Sequence, residues 1–584
     1  MNNIYFRPYL QQEKTTYFPY SREKLQEKPI FPAYVFDGGA FFFLNDVFGT
    51  SNSDILMEKT LSGELFKYWE QDGKFNWRAV WNKWTDWQYA NEWESHCWLH
   101  RLYILLPLAQ HYCKTGDKKY ADAWLKILKD WDINNPYRPV NDPDDHIWYD
   151  MQVAWRTINL VHSIFLFGDE KAMSEADWNY VYDLLRLHVR HLHKEGKEHR
   201  ELQKIGQKLG NHTLQIGMAL IMVGCLLPEL EEADQMMETG RAIVEAILER
   251  AISVEGVSRE NAVSYAHFIA RLFVEADLLL QYNGFGGLSN RERICKQYEY
   301  LYQFSSPEGK TMQIGDSYAL DALADVDFVN SVYPMDFLRE KKTVVMSDGG
   351  LSVLRNERFD LYIDAAQPGP NGYAFHQHYG KPTFVLYCDG KPMIVDRGCP
   401  NYDRSDLYCE LYVASAHNAI TCEEMPLNNE KLYSTDVKEI LSLSKLTVED
   451  GAQKISVQNH TIDPSGREFT LVREFALYDD KLEITDTVTA SEKMHFASRM
   501  NIPSCISGYT DFPAKIKPLS PDRKTLYLRR DQKMQTITVD TPYTFECKPC
   551  VNSNNRIDYV EVLTRRFFAD NFTEKTTIRL DSLK

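Results

Sequence analysis

The sequence predicts a multidomain α and β protein, with a helical N-terminal half followed by an antiparallel β-sandwich. Three observations carry this expectation. The chain has 584 residues, too many for one hydrophobic core, so two large domains are expected. From about residue 65 to 335 apolar residues recur at helical spacing. Beyond residue 340 the pattern changes to short β-branched and aromatic runs separated by turns.

Residues 1–60 form a mixed lead-in, in which Pro8, Pro19, Pro29 and Pro32 break any long helix. It is expected to pack on a helical domain spanning 61–338. There Trp98, Leu102, Leu105 and Leu106 share a face of CWLHRLYILLPLAQHY, and YADAWLKILKDW and WNYVYDLLRLHVRHL repeat the alternation. Thr115-Gly116-Asp117 and Asn134-Asn135-Pro136 mark turns between them. Consecutive helices without intervening strands suggest pairs arranged in a toroid or solenoid. Residues 339–584 hold the strands, among them PTFVLY, KISVQNHTI and FTLVREFALYDDKLEITDTVTA, and read as the sandwich. The active site is expected where the halves meet, since clefts favour domain interfaces.

Composition narrows the function. Hydrophobic residues make up 44% and aromatic residues 13%, as suits a well-packed core. The formal charge, 66 − 83 = −17, argues against a nucleic-acid partner. An anionic ligand needs only a local patch, and Arg186–Lys208 supplies seven Lys/Arg with four His and three Glu. A solvated helix face is the plainer reading of that run. Eleven cysteines, an odd number scattered without regular spacing, read as reduced thiols. The N-terminus shows no apolar leader and no stretch is long enough for a membrane span. The expectation is therefore a cytoplasmic protein without a membrane partner, or a periplasmic or secreted one if a leader has been removed. Oligomeric state is open, a dimer included.

The most informative stretch is 371–401. His376 and His378 lie one residue apart, so an extended backbone would point them to opposite faces. The apolar run PTFVLY then meets Asp389-Gly390, a hairpin dipeptide, and the returning strand ends at Asp396. His417 follows in ASAHNAI. His378, Asp396 and His417 form a plausible zinc site, leaving His376 free for chemistry. Zinc would need a fourth ligand, a water or another residue, and calcium suits two imidazoles less well. Without a metal, the three residues would simply bond one another. In the helical half, Gly210-Asn211-His212 reads as a helix start, with ordinary capping as the bland alternative. VSRENAVSYAHF adds Arg259, Glu260, Asn261, Tyr265 and His267; a core tyrosine is the commoner fate of Tyr265.

These motifs together resemble those of the heparinase II/III-like polysaccharide lyases. The matching segments are His376-Gln377-His378, Val395-Asp396-Arg397-Gly398, His417-Asn418, Asn211-His212, and Gly256, Glu260 and Tyr265 in GVSRENAVSY. The likeness covers most of the chain. It departs at Tyr379-Gly380 and at Arg397, where the family pattern has Ala-Asp and often Pro, and those two larger side chains are expected to alter substrate choice.

The resemblance implies an (α/α) toroid followed by an antiparallel β-sandwich. It also implies β-elimination on a uronic-acid-containing glycan. Catalysis would then fall to Asn211 and His212, quieting the uronate carboxylate, and to Tyr265 and His376 as acid and base. Zinc at His378, Asp396 and His417 would hold the hairpin that aims His376. Trp87, Trp93, Trp148, Tyr149, Arg156, Arg259, Glu260 and Tyr402 are candidates for the sugar cleft. Heparan-sulfate-type chains are the first substrate expectation, with alginate or another uronate oligosaccharide next. Two other classes compete. A glycoside hydrolase would need paired carboxylates from Glu92, Glu94, Asp144, Asp145 and Glu260. A non-catalytic glycan binder would have little use for the Asn, His and Tyr set.

Overall fold

The computed structural model describes residues 53–61, 97, 99–138, 147–167, 170–228, 230–322, 326, 329–330, 333, 340–367, 376–400, 406–425, 437–503, 515–517, 520–530 and 533–582. The candidates Trp87, Trp93, Glu92, Glu94, Asp144, Asp145 and Tyr402 lie outside the described residues, as does most of the lead-in. The fold class is the expected one, an (α/α) toroid domain followed by an antiparallel β-sandwich. The chain divides into two compact units, residues 1–251 with 268–294, and residues 252–267 with 295–584.

The first unit contains helices α1 (Ser53–Leu61), α2 (Leu105–Thr115), α3 (Lys118–Asn134), α4 (Met151–Phe167), α5 (Glu175–Lys204), α6 (Asn211–Leu226) and α7 (Ala233–Arg250). Short connections join α2 to α3, α5 to α6 and α6 to α7. Thus α6 and α7 meet at glycines, where a Cβ on Gly240 would lie 2.5 Å from the Gly217 carbonyl. The backbones therefore approach more closely than any larger residue allows. The predicted face at Leu102, Leu105 and Leu106 is fully buried, but Leu102 sits in a turn at φ 56° and α2 begins only at Leu105. Pro107 accounts for this: it is tolerated in a first turn and would break a helix running through it.

The second unit holds a five-stranded antiparallel meander, β1 (Val344–Met346), β2 (Leu351–Arg355), β3 (Phe359–Asp364), β4 (Thr383–Cys388) and β5 (Lys391–Ile394). A larger sheet includes β6 (Ala452–Ile462), β7 (Glu468–Leu477), β8 (Lys481–Pro503) and β9 (Ile557–Ser582). Along β7 buried and more exposed residues alternate, so one face turns inward. Phe359, Leu361, Ile363, Phe384 and Leu386 from the meander pack with Val457, Phe475, Ile484, Leu563 and Ile578 from the larger sheet. That shared core makes the pair a sandwich. Asp389 and Gly390 join β4 to β5 with φ of 49° and 73°, both positive as the two-residue hairpin requires.

Candidate active site

Tyr265 lies in the first turns of helix α8 (Val263–Tyr282), whose residues up to His267 belong to the second unit. The start of α8 is held by a loop at Gly315-Asp316-Ser317. Ser317 Oγ accepts from the backbone N–H groups of Val263 at 2.7 Å and Ser264 at 3.3 Å, doing the work of an N-cap from a distance. The same loop holds the histidine segment. Asp316 N–H donates to the His376 carbonyl at 2.8 Å, and its carboxylate lies 3.1 Å from His376 Nδ1 and 2.8 Å from His378 Nε2. Gly315 has φ +66°, and a Cβ there would lie 2.6 Å from the carbonyls of Asn261 and His376. A larger residue would force these segments apart.

One short loop therefore fixes both Tyr265 and His376. Their rings stack with centroids 3.6 Å apart and planes 14° from parallel. His376 is not left unattached, and the two histidines do not face opposite ways: the backbone turns at His376, so both rings reach Asp316. Burial alone would raise the Asp316 carboxyl, but hydrogen bonds from His376 and His378 hold it below the usual carboxylate range. A carboxylate acceptor at Nδ1 favours the tautomer whose Nε2 is basic.

The expected metal ligands lie alongside. His417 Nδ1 is 2.8 Å from Asp396 Oδ2, and the rings of His378 and His417 are 5.1 Å apart. Asn418 anchors this strand end, donating to the carbonyls of Phe384 at 2.7 Å and Val395 at 2.8 Å. Among the described residues, the donor atoms that converge within 4.8 Å are those of Asp316, His378 and Cys399. Of the expected trio only His378 belongs to that group, which is a possible metal-binding triad.

The first unit holds the other candidates. Gly210 precedes α6 and Asn211 is its first residue, as the sequence suggested. Asn211 is buried and its Oδ1 accepts from Gln215 Nε2 at 3.0 Å. His212 Nδ1 lies 2.7 Å from Asp150 Oδ2, with His212 half exposed and Asp150 buried. Burial pushes the Asp150 carboxyl up, but the charge and hydrogen bond of His212 more than offset it and bring it down to about 2.

Other expected sugar contacts are placed differently. Arg156 is fully buried, donating from Nε to His188 Nε2 at 2.8 Å and from Nη1 to the His100 carbonyl at 2.8 Å. Its guanidinium lies over the rings of Trp131 and Trp148, at 4.4 and 4.8 Å, and Trp148 is buried too. Both belong to the helical core rather than to an open surface, Arg156 on α4, which is buried on every side, and Trp148 just before it. Tyr149 is partly exposed. Arg259 is partly exposed and paired with Asp348 at 3.4 Å, whereas Glu260 is buried. Tyr379 and Arg397 are buried as well; Arg397 donates to Glu410 and to the Pro549 carbonyl, each at 2.7 Å. Their expected contact with substrate is not what the structure places there.

Two carboxylates were absent from the sequence reading, Asp316 and Asp150. Asp316 had a signal in its setting, Gly-Asp-Ser between two apolar runs, and Asp150 in preceding a helix directly after two aromatic residues.

Comparison with known proteins places the chain. Residues 45–337 match the Heparinase II/III N-terminus, and residues 339–555 match the Heparinase II/III-like C-terminal domain. A heparin-sulfate lyase of Bacteroides thetaiotaomicron is 26% identical over 222 residues, covering 37% of this chain and 28% of that protein. One of Pedobacter heparinus is 21% identical over 345 residues, 54% of this chain and 49% of that protein. The alignments thus span less than half the length of either relative. A crystal structure of heparinase III is similar in fold, with a TM-score of 0.71, 18% identity, and coverage of 88% of this chain and 81% of that one. Both halves carry the family's sequence pattern, and the chain belongs to the heparinase II/III family.

Proposed function

We propose that the protein is a polysaccharide lyase that cleaves uronic-acid-containing glycans by β-elimination, with heparan-sulfate-type glycosaminoglycan as its first substrate class. The observation that carries this reading is the Tyr265–His376 stack, held from both sides by the Asp316 loop. Relatives named heparin-sulfate lyases support the substrate class.

Elimination removes the proton at C5, beside the uronate carboxylate, and expels the oxygen at C4. In this reading Asn211 and His212 donate hydrogen bonds to the carboxylate, so that charge developing on it in the transition state is stabilised. Asp150 holds the His212 ring in position. His376, its Nδ1 bonded to Asp316, takes the C5 proton at Nε2, and Tyr265 gives its hydroxyl proton to the departing oxygen. Where proton and leaving group share one face of the sugar, Tyr265 does both. Tyr149 and Arg259 are the partly exposed residues retained as sugar contacts.

The finer metal assignment is part of the same proposal, a structural zinc held by His378, Asp396 and His417. Its support is a pair of buried ring nitrogens, His378 Nδ1 and His417 Nε2, that make no hydrogen bond. In the His378 ring the other nitrogen rests on the Asp316 carboxylate, the arrangement that orients an imidazole towards a metal. Zinc would supply rigidity to the segment carrying His376 and take no part in bond breaking. The test of function is incubation with heparan sulfate and alginate while following ultraviolet absorbance. Growth of the unsaturated-uronate chromophore is expected, and reducing ends without it would refute elimination.

A further inference from the structure

The basic run on α5 is divided by the helix into two faces. His188, His191, Glu195 and His199 turn inward and are buried. Arg186, Arg190, Lys194 and Lys197, spaced by four, four and three residues, share the outer side. With Leu230, Glu231, Glu232 and Met236 they line a cavity of about 420 Å³, within the range of small-ligand sites. Stacking like charges at i, i+4 disfavours a helix, and the neutralisation here is partial. Arg190 meets Glu231 at 3.4 Å, with both side chains well exposed, and Glu232 is turned to His193 at 3.1 Å. Lys194 and Lys197 are exposed and form no ion pair among the described residues.

The opposite wall is the start of α7. Its N-cap residue, Glu232, adopts the left-handed conformation at φ 62° and its side chain does not cap the helix. The Ala233 amide of that turn donates to the Leu230 carbonyl at 3.2 Å and Asp234 adds an acidic side chain, so attraction for an anion falls to the cations of α5. Four cations of one helix thus line a single cavity, on a chain whose net charge is −17.

We infer that this pocket, lined by none of the candidate catalytic residues, is a second glycan site that grips sulfate groups on a chain of the substrate class. This rests on the reading of the substrate as an acidic glycan. Arg186 and Arg190 can take a sulfate bidentately, while Lys194 and Lys197 act as point charges. The site would retain long chains and leave the chemistry on short ones untouched.

The experiment compares the full chain carrying Tyr265→Phe with the same chain also carrying Lys194→Ala and Lys197→Ala. The probe is a sulfated heparan octasaccharide, titrated at several salt concentrations, with its desulfated counterpart as control. Both lysines are exposed, so the fold should survive. The expected result is roughly ten-fold weaker binding of the sulfated probe and a shallower salt dependence, with the desulfated probe indifferent to the change. Equal affinity in the two proteins would overturn the site. A matched-charge polyphosphate losing as much affinity would overturn its assignment to sulfated sugar. The parallel rate of the Lys194→Ala/Lys197→Ala protein with Tyr265 intact, on a tetrasaccharide, should equal that of the unsubstituted chain. If neither protein releases unsaturated uronate but the binding loss appears, the elimination reading fails and the site stands.

Discussion

Each compact unit contains an imidazole bonded to a buried carboxylate, and the two pairs differ in what surrounds them. His376 is 12% exposed, stacked on Tyr265, and shares Asp316 with a second histidine. His212 is 49% exposed, and its ring rests on Asp150. The first arrangement restricts the imidazole from several directions and places a phenol against its face, which suits proton transfer in a fixed geometry. The second leaves half the ring in solvent, with one buried acceptor setting its orientation, which suits donation to an anionic ligand. In the proposed mechanism the same two functional groups serve different chemistry according to burial and neighbours.

The largest effect expected is that of Tyr265→Phe. Removing the hydroxyl should lower kcat by about 10³-fold or more, with the circular dichroism spectrum unchanged; retention of most activity would take the acid role from Tyr265. Asp316→Asn tests the other side of the stack. It should reduce kcat by roughly 10²-fold and flatten the pH–rate profile, since the acceptor that fixes the His376 tautomer is weakened. A pH profile shaped like the parent's would contradict that link. In the other pair, His212→Ala should cost about 10²-fold in kcat/KM by removing a donor to the developing charge, and Asp150→Asn should cost less, because the ring remains. If Asp150→Asn proved the more damaging, Asp150 would do more than orient His212.

Stability gives a smaller, pH-dependent contrast. Burial lowers His199 to about 4, with the charge of Lys208 adding to it. A histidine depressed in the folded state binds its proton more readily when unfolded, so stability falls as pH drops from about 6.5 towards 4. The loss is on the order of 3 kcal/mol for this residue. His162 and His188, held well below the usual value by burial, act in the same direction. Thermal unfolding followed from pH 8 to 4 should show a decline that His199→Gln reduces; no change in slope would remove His199 as a cause. Asp150 acts in the same direction at lower pH. Its lowered carboxyl contributes stability above about 4 that is lost only as pH approaches 2.

Local signals in the sequence were reliable wherever the chain itself sets the geometry. Asp389-Gly390 demanded a tight hairpin and formed one, and Gly210-Asn211 opened a helix where expected. What stayed hidden were partners supplied by distant segments. Asp316 and Asp150 reach histidines 60 and 62 residues away, and no spacing rule connects residues so separated. Without Asp316, His376 appeared available and opposed to His378. Arg156 shows a different failure, for the mostly apolar content of α4 already marked that helix as core. The weight given to its charge as a sugar contact ran against that environment.

The central claim, bond cleavage by elimination, is most directly tested by the masses of the products. Digesting a defined heparan sulfate oligosaccharide with the full chain should give fragments whose masses sum to that of the substrate, one of them bearing the unsaturated uronate. Fragments that together exceed the substrate by one water per cleavage would contradict elimination and assign the reaction to hydrolysis.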